Sequence, residues 1–199
     1  ILPDHSVVKM LQDKALFDKF ARNHSLKIPL SWVIRSLEDV ETVINQGRMP
    51  VIIKPVKKLH SPDLLKAYIV HKKEELLETI LIILGATESC IVQEFIPGDD
   101  KQIYFCMQYI NPSGQLLASF TGRKIRQWQP LSGGTASCEP VLEPELHETT
   151  RSIFQKAGFW GIGSVEYKKD PRDDMFYIIE PTVGRTDFQE GVAIANGVN

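Results

Sequence analysis

Residues 161–181 read GIGSVEYKKDPRDDMFYIIEP and contain two strand-like runs separated by a polar turn. The runs 161–168 and 175–181 carry β-branched and aromatic side chains, and 169–174 is rich in turn-forming residues, so the stretch predicts a β-hairpin. In a hairpin centred on Asp173, Glu166 lies directly opposite Glu180. Opposed residues of an antiparallel pair point to the same face, with Cβ atoms about 5 Å apart. The stretch therefore predicts two neighbouring carboxylates on one face of a sheet.

The same register divides the hairpin into an oxygen-rich face and an apolar face. Ser164 lies opposite Thr182 beside the two carboxylates. The other face carries Val165, Tyr167, Tyr177 and Ile179. Two carboxylates at this separation repel each other, and oxygen ligands without His or Cys suit a hard cation such as Mg²⁺. Glu166 and Glu180 are therefore candidate metal ligands. In the alternative interpretation, a register one residue away leaves both carboxylates merely solvated.

Outward from the hairpin, helical and strand patterns alternate along the chain and predict an α+β fold in two lobes. The first half predicts a helix at 6–24 with Asp13 and Lys14 in its middle, strands at 31–35, 51–54, 65–70 and 90–95, and helices at 37–46 and 72–84. After Pro97-Gly98, the pattern predicts a hairpin of 102–109 with 116–124, a mobile loop at 132–135, and helices at 144–157 and 188–196. We expect a small lobe at 28–92 and a large lobe at 93–199, with the 6–24 helix packed on the large lobe.

Basic residues occur at three places that suit an anion. Lys54 ends a buried strand immediately before Pro55, where an ammonium group can meet a phosphate, although a solvated strand end is the commoner situation. Lys14 lies among polar neighbours on the first helix, which is ordinarily a surface position. The densest cluster is Arg123, Lys124 and Arg126 at the end of the first hairpin, shortly before a Gly-Gly pair. A charged hairpin end explains this cluster equally well.

The segment 93–98, QEFIPG, carries alternating polar and apolar side chains into a Pro-Gly break. A strand that breaks in this way leaves some backbone groups without ladder partners. The amides and carbonyls of Gln93, Glu94, Phe95 and Ile96 are therefore candidates to bind the edge of a purine.

Composition excludes several classes of protein. The 199 residues have a formal net charge of −2 with scattered Lys and Arg, which argues against non-specific nucleic-acid binding. The most apolar window, 76–86, is too short for a membrane span. Cys90, Cys106 and Cys138 show no paired or metal-ligand spacing, which fits a reducing compartment. We expect a cytoplasmic protein without nucleic-acid or membrane partners, excised from a longer chain because it begins on Ile.

Taken in order, the motifs resemble those of the ATP-grasp superfamily, and more narrowly its carboxylate-amine ligase-like members. The resemblance covers nearly the whole chain and is carried by Asp13-Lys14 with the link 26–29, the strand 50–55, the segment 93–98 and the two glutamates. It implies ATP bound between two lobes together with Mg²⁺. The implied ATP-binding residues are Lys14, Lys54, Gln93, Glu94, Phe95, Ile96 and Lys124. The implied Mg²⁺ ligands are Glu166, Glu180 and Thr182, the last standing where the family usually has Asn.

The resemblance also implies a reaction. A small-molecule or peptide carboxylate would attack the γ-phosphate to give an acyl phosphate, which an amine or a similar nucleophile then captures. Arg126 and Arg185 would bind the transferring phosphoryl group and the acyl substrate. Three departures keep two alternatives open, a non-catalytic regulatory nucleotide-binding domain and an ATP-grasp kinase. The loop 56–62 lacks the usual glycines, Thr182 replaces Asn, and Gly184 stands at the family's Arg position with Arg185 one residue late.

Overall fold

The computed structural model describes residues 3–56, 65–128, 130, 133–185 and 189–198. These residues form two antiparallel sheets with helices packed on their faces, so the predicted α+β class is confirmed. The smaller sheet contains β1 (Ser31–Ile34), β2 (Val51–Pro55), β3 (Tyr68–Val70) and β4 (Cys90–Glu94), in the order β1-β4-β2-β3. The larger sheet contains β5 (Ile103–Ile110), β6 (Leu116–Trp128), β7 (Gly134–Pro140), β8 (Gly161–Asp170) and β9 (Met175–Val183), in the order β7-β6-β5-β8-β9.

Two helices cover the smaller sheet, α3 (Leu37–Gln46) and α4 (Lys73–Leu84). The start of α3 is stabilised by Asp39, whose carboxylate accepts from the amides of Arg35 (2.8 Å) and Ser36 (3.0 Å). The helices bury Val40, Val43, Leu76, Ile80 and Ile83 against the inward-facing aliphatic residues of the strands. Because this core is separate from that of the larger sheet, the smaller sheet forms its own hydrophobic layer.

The larger sheet packs against α1 (His5–Gln12), α2 (Lys14–Asn23) and α5 (Pro144–Ala157). Helix α5 has the bounds predicted from the sequence, with Pro144 at its start and Gly158 at φ 65° after its end. Its buried Ile153 and Phe154 pack with Val165 and Tyr167 of β8. A short 3₁₀ turn (Asp100–Gln102) precedes β5, and α6 (Gln189–Ala195) follows β9.

The predicted helix 6–24 is wrong in one respect, because two helices occupy this stretch. Asp13 has an extended backbone, and its carboxylate accepts from the amides of Ala15 (2.9 Å) and Leu16 (3.0 Å). An aspartate that caps in this way satisfies the first amides of a new helix and interrupts the preceding one. Lys14 is consequently the first residue of α2, at the helix end that faces the groove between the sheets.

Several other strand bounds differ from the predictions. β6 extends to Trp128 and pairs with β7. β7 begins at Gly134, within the stretch 132–135 that was predicted to be a loop, because the long strand β6 provides hydrogen-bond partners for the chain that returns beside it. Leu131 and Ser132 lie outside the described residues. The strand predicted at 65–70 is reduced to Tyr68–Val70. Most of the predicted loop 56–62 and the first residue of the predicted helix 188–196 also lie outside the described residues.

Across the described stretches, no helix is long and apolar enough to cross a membrane.

Candidate active site

The predicted carboxylate pair is confirmed by the strand register. Glu166 of β8 lies opposite Glu180 of β9, and Ser164 lies opposite Thr182. Both glutamates line a groove between the two sheets, together with residues from β2 and β4 of the smaller sheet. The hairpin brings the carboxylates together because they lie on consecutive strands joined by one short turn, so the pairing is local in sequence.

Beyond the pair, a bulge changes the faces of two residues, Tyr177 and Ile179. Tyr167 pairs with Ile178 where the predicted register has Ile179, and the ladder shifts between Glu166 and Tyr167. Ile178 is buried in the core, whereas Ile179 lines the groove and Tyr177 lies opposite the groove residue Lys168. The predicted placement of Tyr177 and Ile179 on the apolar face is therefore wrong. The Ile178 amide donates to Lys27 O (2.9 Å) on the link before β1, which accounts for the local departure from the ladder.

Four lysines surround the two carboxylates. Lys124 Nζ lies 2.7 Å from Glu166 Oε1, and Lys66 Nζ lies 4.0 Å from Glu180 Oε1. Lys14 and Lys54 line the same groove, so α2, β2, β6 and the chain before β3 each contribute one ammonium group. Such a cluster is unfavourable without anions, and the carboxylates compensate only part of its charge. The groove is therefore suited to a polyanion such as a nucleotide triphosphate.

Burial and the neighbouring charges in the groove shift the pKa values of Lys54 and Glu180. Burial lowers the pKa of Lys54 to about 8, and the positive charges of Lys14 and Lys66 act in the same direction. Burial works to raise the pKa of Glu180, but the neighbouring lysines, Lys66 first, outweigh it and hold that pKa below its usual value. Lys54 Nζ also donates to Gln93 Oε1 (3.4 Å), which orients the lysine along the groove.

The donor set fits a magnesium ion that takes some of its ligands from the protein and the others from a bound substrate. Among the described residues, no group of three or more His, Cys, Asp and Glu side chains is placed to hold a metal. Two opposed carboxylates alone suit Mg²⁺, which commonly takes one or two protein carboxylates and completes its shell with phosphate and water oxygens. Thr182 lies on β9 two residues beyond Glu180, at the mouth of an adjoining cavity.

The segment after β4 forms the wall opposite the carboxylates. The predicted lack of backbone partners is wrong for two of its amides, because Glu94 N donates to Leu30 O (2.7 Å) and Phe95 N donates to Pro50 O (3.1 Å). The Ile96 amide donates to no backbone oxygen within the described residues. Gln93, Glu94, Phe95 and Ile96 all line the groove, as the sequence predicts.

A second cavity of about 440 Å³ adjoins the carboxylate end of the groove. It lies between α1 and the end of β9. Its polar lining comprises His5, Lys9, Gln12, Asp13, Lys14, Glu180, Thr182 and Arg185. Arg185 is thus brought to the site, whereas Arg126 lies exposed on β6 and is not among the residues that line the groove or this cavity. The role of Arg126 stays a prediction.

Sequence reasoning missed several residues that line the groove: Lys66, Lys168 and Ile179, together with Ile52, Ala67, Ile103 and Gln127. Lys168 could have been found, because it lies two residues beyond Glu166 on the same strand and therefore on the same face. Ile179 could not, since its face depends on the bulge. Lys66 lies within the stretch 65–70, for which the sequence pattern predicted only a strand.

Asp99, Asp100 and Lys101 lie at the 3₁₀ turn that precedes β5. Asp99 caps this turn by accepting from the Lys101 amide (2.9 Å). Asp100 accepts from Gln127 N (2.8 Å) and Gln127 Nε2 (2.9 Å). The structure therefore gives Asp99 and Asp100 roles in the turn itself.

Comparison with known proteins finds sequence similarity to a ligase. No protein-family model matches the chain. The D-aspartate ligase of Enterococcus faecium (strain Aus0004) is 25% identical over an alignment of 210 residues. The alignment covers 98% of this chain and 49% of that protein. The chain thus spans about half the length of this curated relative.

Solved structures share the fold at lower identity. Biotin carboxylase from Campylobacter jejuni, in its β,γ-ATP complex, superposes with a TM-score of 0.82 at 15% identity over 98% of this chain and 45% of that one. The biotin carboxylase domain of 2-oxoglutarate carboxylase from Hydrogenobacter thermophilus, in complex with MgADP, ADP and bicarbonate, gives a TM-score of 0.76 at 16% identity. The superposition covers 96% of this chain and 43% of that one. Together with the two-sheet architecture, these likenesses show that the chain has the ATP-grasp fold of these enzymes.

Proposed function

We propose that the chain is the ATP-binding part of a ligase that activates a carboxylate as an acyl phosphate for attack by an amine. The observation that carries this proposal is the opposed pair Glu166 and Glu180, surrounded by four lysines in the groove between the sheets. The likeness to a D-aspartate ligase supports a small-molecule or peptide carboxylate and an amine as substrates.

In the proposed complex, the groove holds ATP along its length. Adenine lies between the segment 93–96 and Ile179, and the phosphates lie on Lys14, Lys54 and Lys124. Glu166 and Glu180 hold Mg²⁺, with Thr182 beside them, and the MgADP complex of a structural neighbour supports this choice of metal. When bound, the metal would supply positive charge against the phosphate oxygens. We also propose that residues 28–92 and 93–199 act as the two lobes and that the protein works in the cytoplasm, where the buried thiols Cys90 and Cys106 would stay reduced.

The chemistry asks the protein mainly to position groups and to neutralise charge. A substrate carboxylate oxygen attacks the γ-phosphorus, the bond from that phosphorus to the β–γ bridging oxygen breaks, and ADP leaves. Lys14 and Lys54 stabilise the charge that develops on the phosphates. The amine then attacks the acyl carbon and inorganic phosphate leaves. The second cavity is adjacent to Lys14 and Glu180, so we assign it to the acyl substrate, with Arg185 as the residue that binds its carboxylate.

Calorimetric titration tests the nucleotide site. We expect the chain to bind ATP tightly only with Mg²⁺, and Glu180→Gln to weaken that binding about tenfold or more, because a neutral amide is a poor magnesium ligand. The matched control is Glu148→Gln, which changes an exposed glutamate of α5 and should leave binding unchanged. A folded wild-type chain that binds no ATP, or binds it equally well without Mg²⁺, would contradict the proposal.

A trapping experiment separates the ligase from its alternatives. With ATP, Mg²⁺ and hydroxylamine, an acyl phosphate is converted to a hydroxamate, and D-aspartate is the first carboxylate to test because of the relative named above. Carboxylate-dependent hydroxamate formation supports the ligase. A phosphorylated product that resists hydroxylamine indicates a kinase, and ATP binding without ADP release across a panel of carboxylates indicates a regulatory domain.

A further inference from the structure

Lys168 is a buried cation of the groove that the proposed chemistry does not use. It lies on β8 two residues beyond Glu166, its fractional exposure is 5%, and it lines the groove beside Phe95. Its Nζ donates to Gly98 O (3.0 Å) and lies 4.5 Å from the centroid of the Phe95 ring. One strand of the larger sheet therefore carries a candidate metal ligand and also a contact to the segment that follows β4.

The contacts of this ammonium are unusual for a buried lysine. Within the described residues, its hydrogen bond goes to a carbonyl, and no carboxylate lies within 4 Å. Burying a cation costs solvation free energy, which the carbonyl dipole, the aromatic face and the more distant charges of Asp100, Asp99 and Asp170 recover in part. The arrangement fixes the position of the Gly98 carbonyl and the plane of the Phe95 ring, since both must point at the same nitrogen.

The chain on both sides of Gly98 is held just as closely. Gly98 has φ 104°, and a Cβ there would lie 2.5 Å from Gln102 Cγ, so the turn requires glycine. Asp100 is bound to the backbone and side chain of Gln127 on β6. The segment 95–100 is thereby fastened to the larger sheet at two points, and the Ile96 amide lies between Phe95 and the first of them.

We propose that Lys168 is a positioning residue for nucleobase selectivity, which acts by holding Phe95 and Gly98 so that the Ile96 amide meets the base at a fixed place. This inference rests on the proposed function. An N–H donor suits the N1 acceptor of adenine, whereas guanine presents an N–H donor at N1 and would leave both donors unsatisfied. A buried unsatisfied donor is strongly unfavourable, so selectivity depends on how rigidly the amide is held.

The test compares Lys168→Met with Lys169→Met by calorimetry. Methionine keeps most of the side-chain volume of Lys168 but removes the cation and the donor. Lys169 lies next on the same strand and is paired with Asp174 on the hairpin turn, so it is the matched control. For each variant, we measure the dissociation constants with which the protein binds the Mg²⁺ complexes of ATP, GTP and inorganic tripolyphosphate.

We expect the preference for ATP over GTP to fall about tenfold in Lys168→Met, the loss expected when a donor is no longer rigidly placed. Tripolyphosphate binding should stay within about twofold, because the phosphate lysines are untouched. Lys169→Met should match the wild type. Phe95→Leu, which removes only the aromatic face, should lower the preference less, and Lys168→Arg should restore part of it.

Two results would overturn the inference. If the ratio of the dissociation constants for ATP and GTP is unchanged in both Lys168→Met and Phe95→Leu, the role of Lys168 is refuted. Binding of ATP by the wild type would still support the proposed function. An equal loss of ATP and tripolyphosphate binding in Lys168→Met assigns the residue to general stability. A wild-type chain that binds neither nucleotide refutes the proposed function itself, and the selectivity role with it.

Discussion

Lys124 Nζ lies 2.7 Å from Glu166 Oε1, and the lysine side chain is only 1% exposed. The two residues lie on β6 and β8, which are separated by β5, so the ion pair crosses a whole strand of the larger sheet. Lys124 Nζ also donates to Gln127 Oε1 (3.3 Å), and Gln127 binds Asp100. The carboxylate end of the groove is therefore linked to the turn after Gly98 through three side chains.

A double-mutant cycle of Lys124→Met and Glu166→Gln measures this pair. Each single change leaves the other partner without its opposite charge, and Lys124 has little access to water. We expect a coupling free energy of about 1–2 kcal/mol in the free energy of unfolding, measured by urea denaturation without Mg²⁺. Additive effects of the two substitutions would show that the pair contributes nothing to stability.

Lys66 is expected to strengthen nucleotide binding. It is half exposed and lies 4.0 Å from Glu180, so bound phosphates at the carboxylates would lie within its field. Lys66→Met should weaken Mg²⁺–ATP binding about three- to tenfold at low salt, and high salt should reduce the difference because exposed charges are screened. Lys156→Met, at an exposed position of α5, is the control. A loss that does not depend on salt would argue against a direct electrostatic role.

Gly122 is packed against an aromatic ring. A Cβ at this position would lie 2.3 Å from Phe105 Cζ, and Phe105 is fully buried beside Glu166 on the neighbouring strand. Gly122→Ala should therefore lower the free energy of unfolding by about 1–3 kcal/mol. Gly134→Ala, on the adjacent strand β7, meets no atom within 4 Å and should have little effect in the same denaturation experiment. Equal stability of the two variants would contradict the close packing.

The ion pair of Asp170 and Arg172 should make stability depend on acid pH. The Arg172 guanidinium donates to the Asp170 carboxylate and lowers its pKa below the usual 3.8. Because the folded-state pKa is depressed, the stabilisation is present above pH 3.8 and is lost as the pH falls through the lower folded value.

Arg172→Met tests this dependence. The substitution leaves a carboxylate that is 1% exposed without its main partner. We expect it to lower the free energy of unfolding by about 1–3 kcal/mol at neutral pH. The gap to the wild type should narrow as the pH falls below 3.8, measured by urea unfolding across that range. A gap that is constant with pH would show that Arg172 acts through packing rather than through Asp170.

Much of the candidate site could be predicted from the sequence because its parts are local. The opposition of Glu166 and Glu180 follows from the length of one hairpin, and the hairpin turn is encoded by its own residues. Helices α3 and α5 have their predicted bounds, since capping and hydrophobic periodicity act within a few residues. The order of the motifs sufficed to predict the fold.

What the tertiary structure decided involves residues far apart in the chain. Lys168 reaches the carbonyl of Gly98, 70 residues away, and Lys124 reaches Glu166 across an intervening strand. Ile179 faces the groove because the Ile178 amide is bound by the link before β1, an interaction that no strand pattern contains. Sequence patterns report side-chain periodicity within one element. The contacts that complete this site depend on how the two sheets and their connecting segments pack, so only the folded chain determines them.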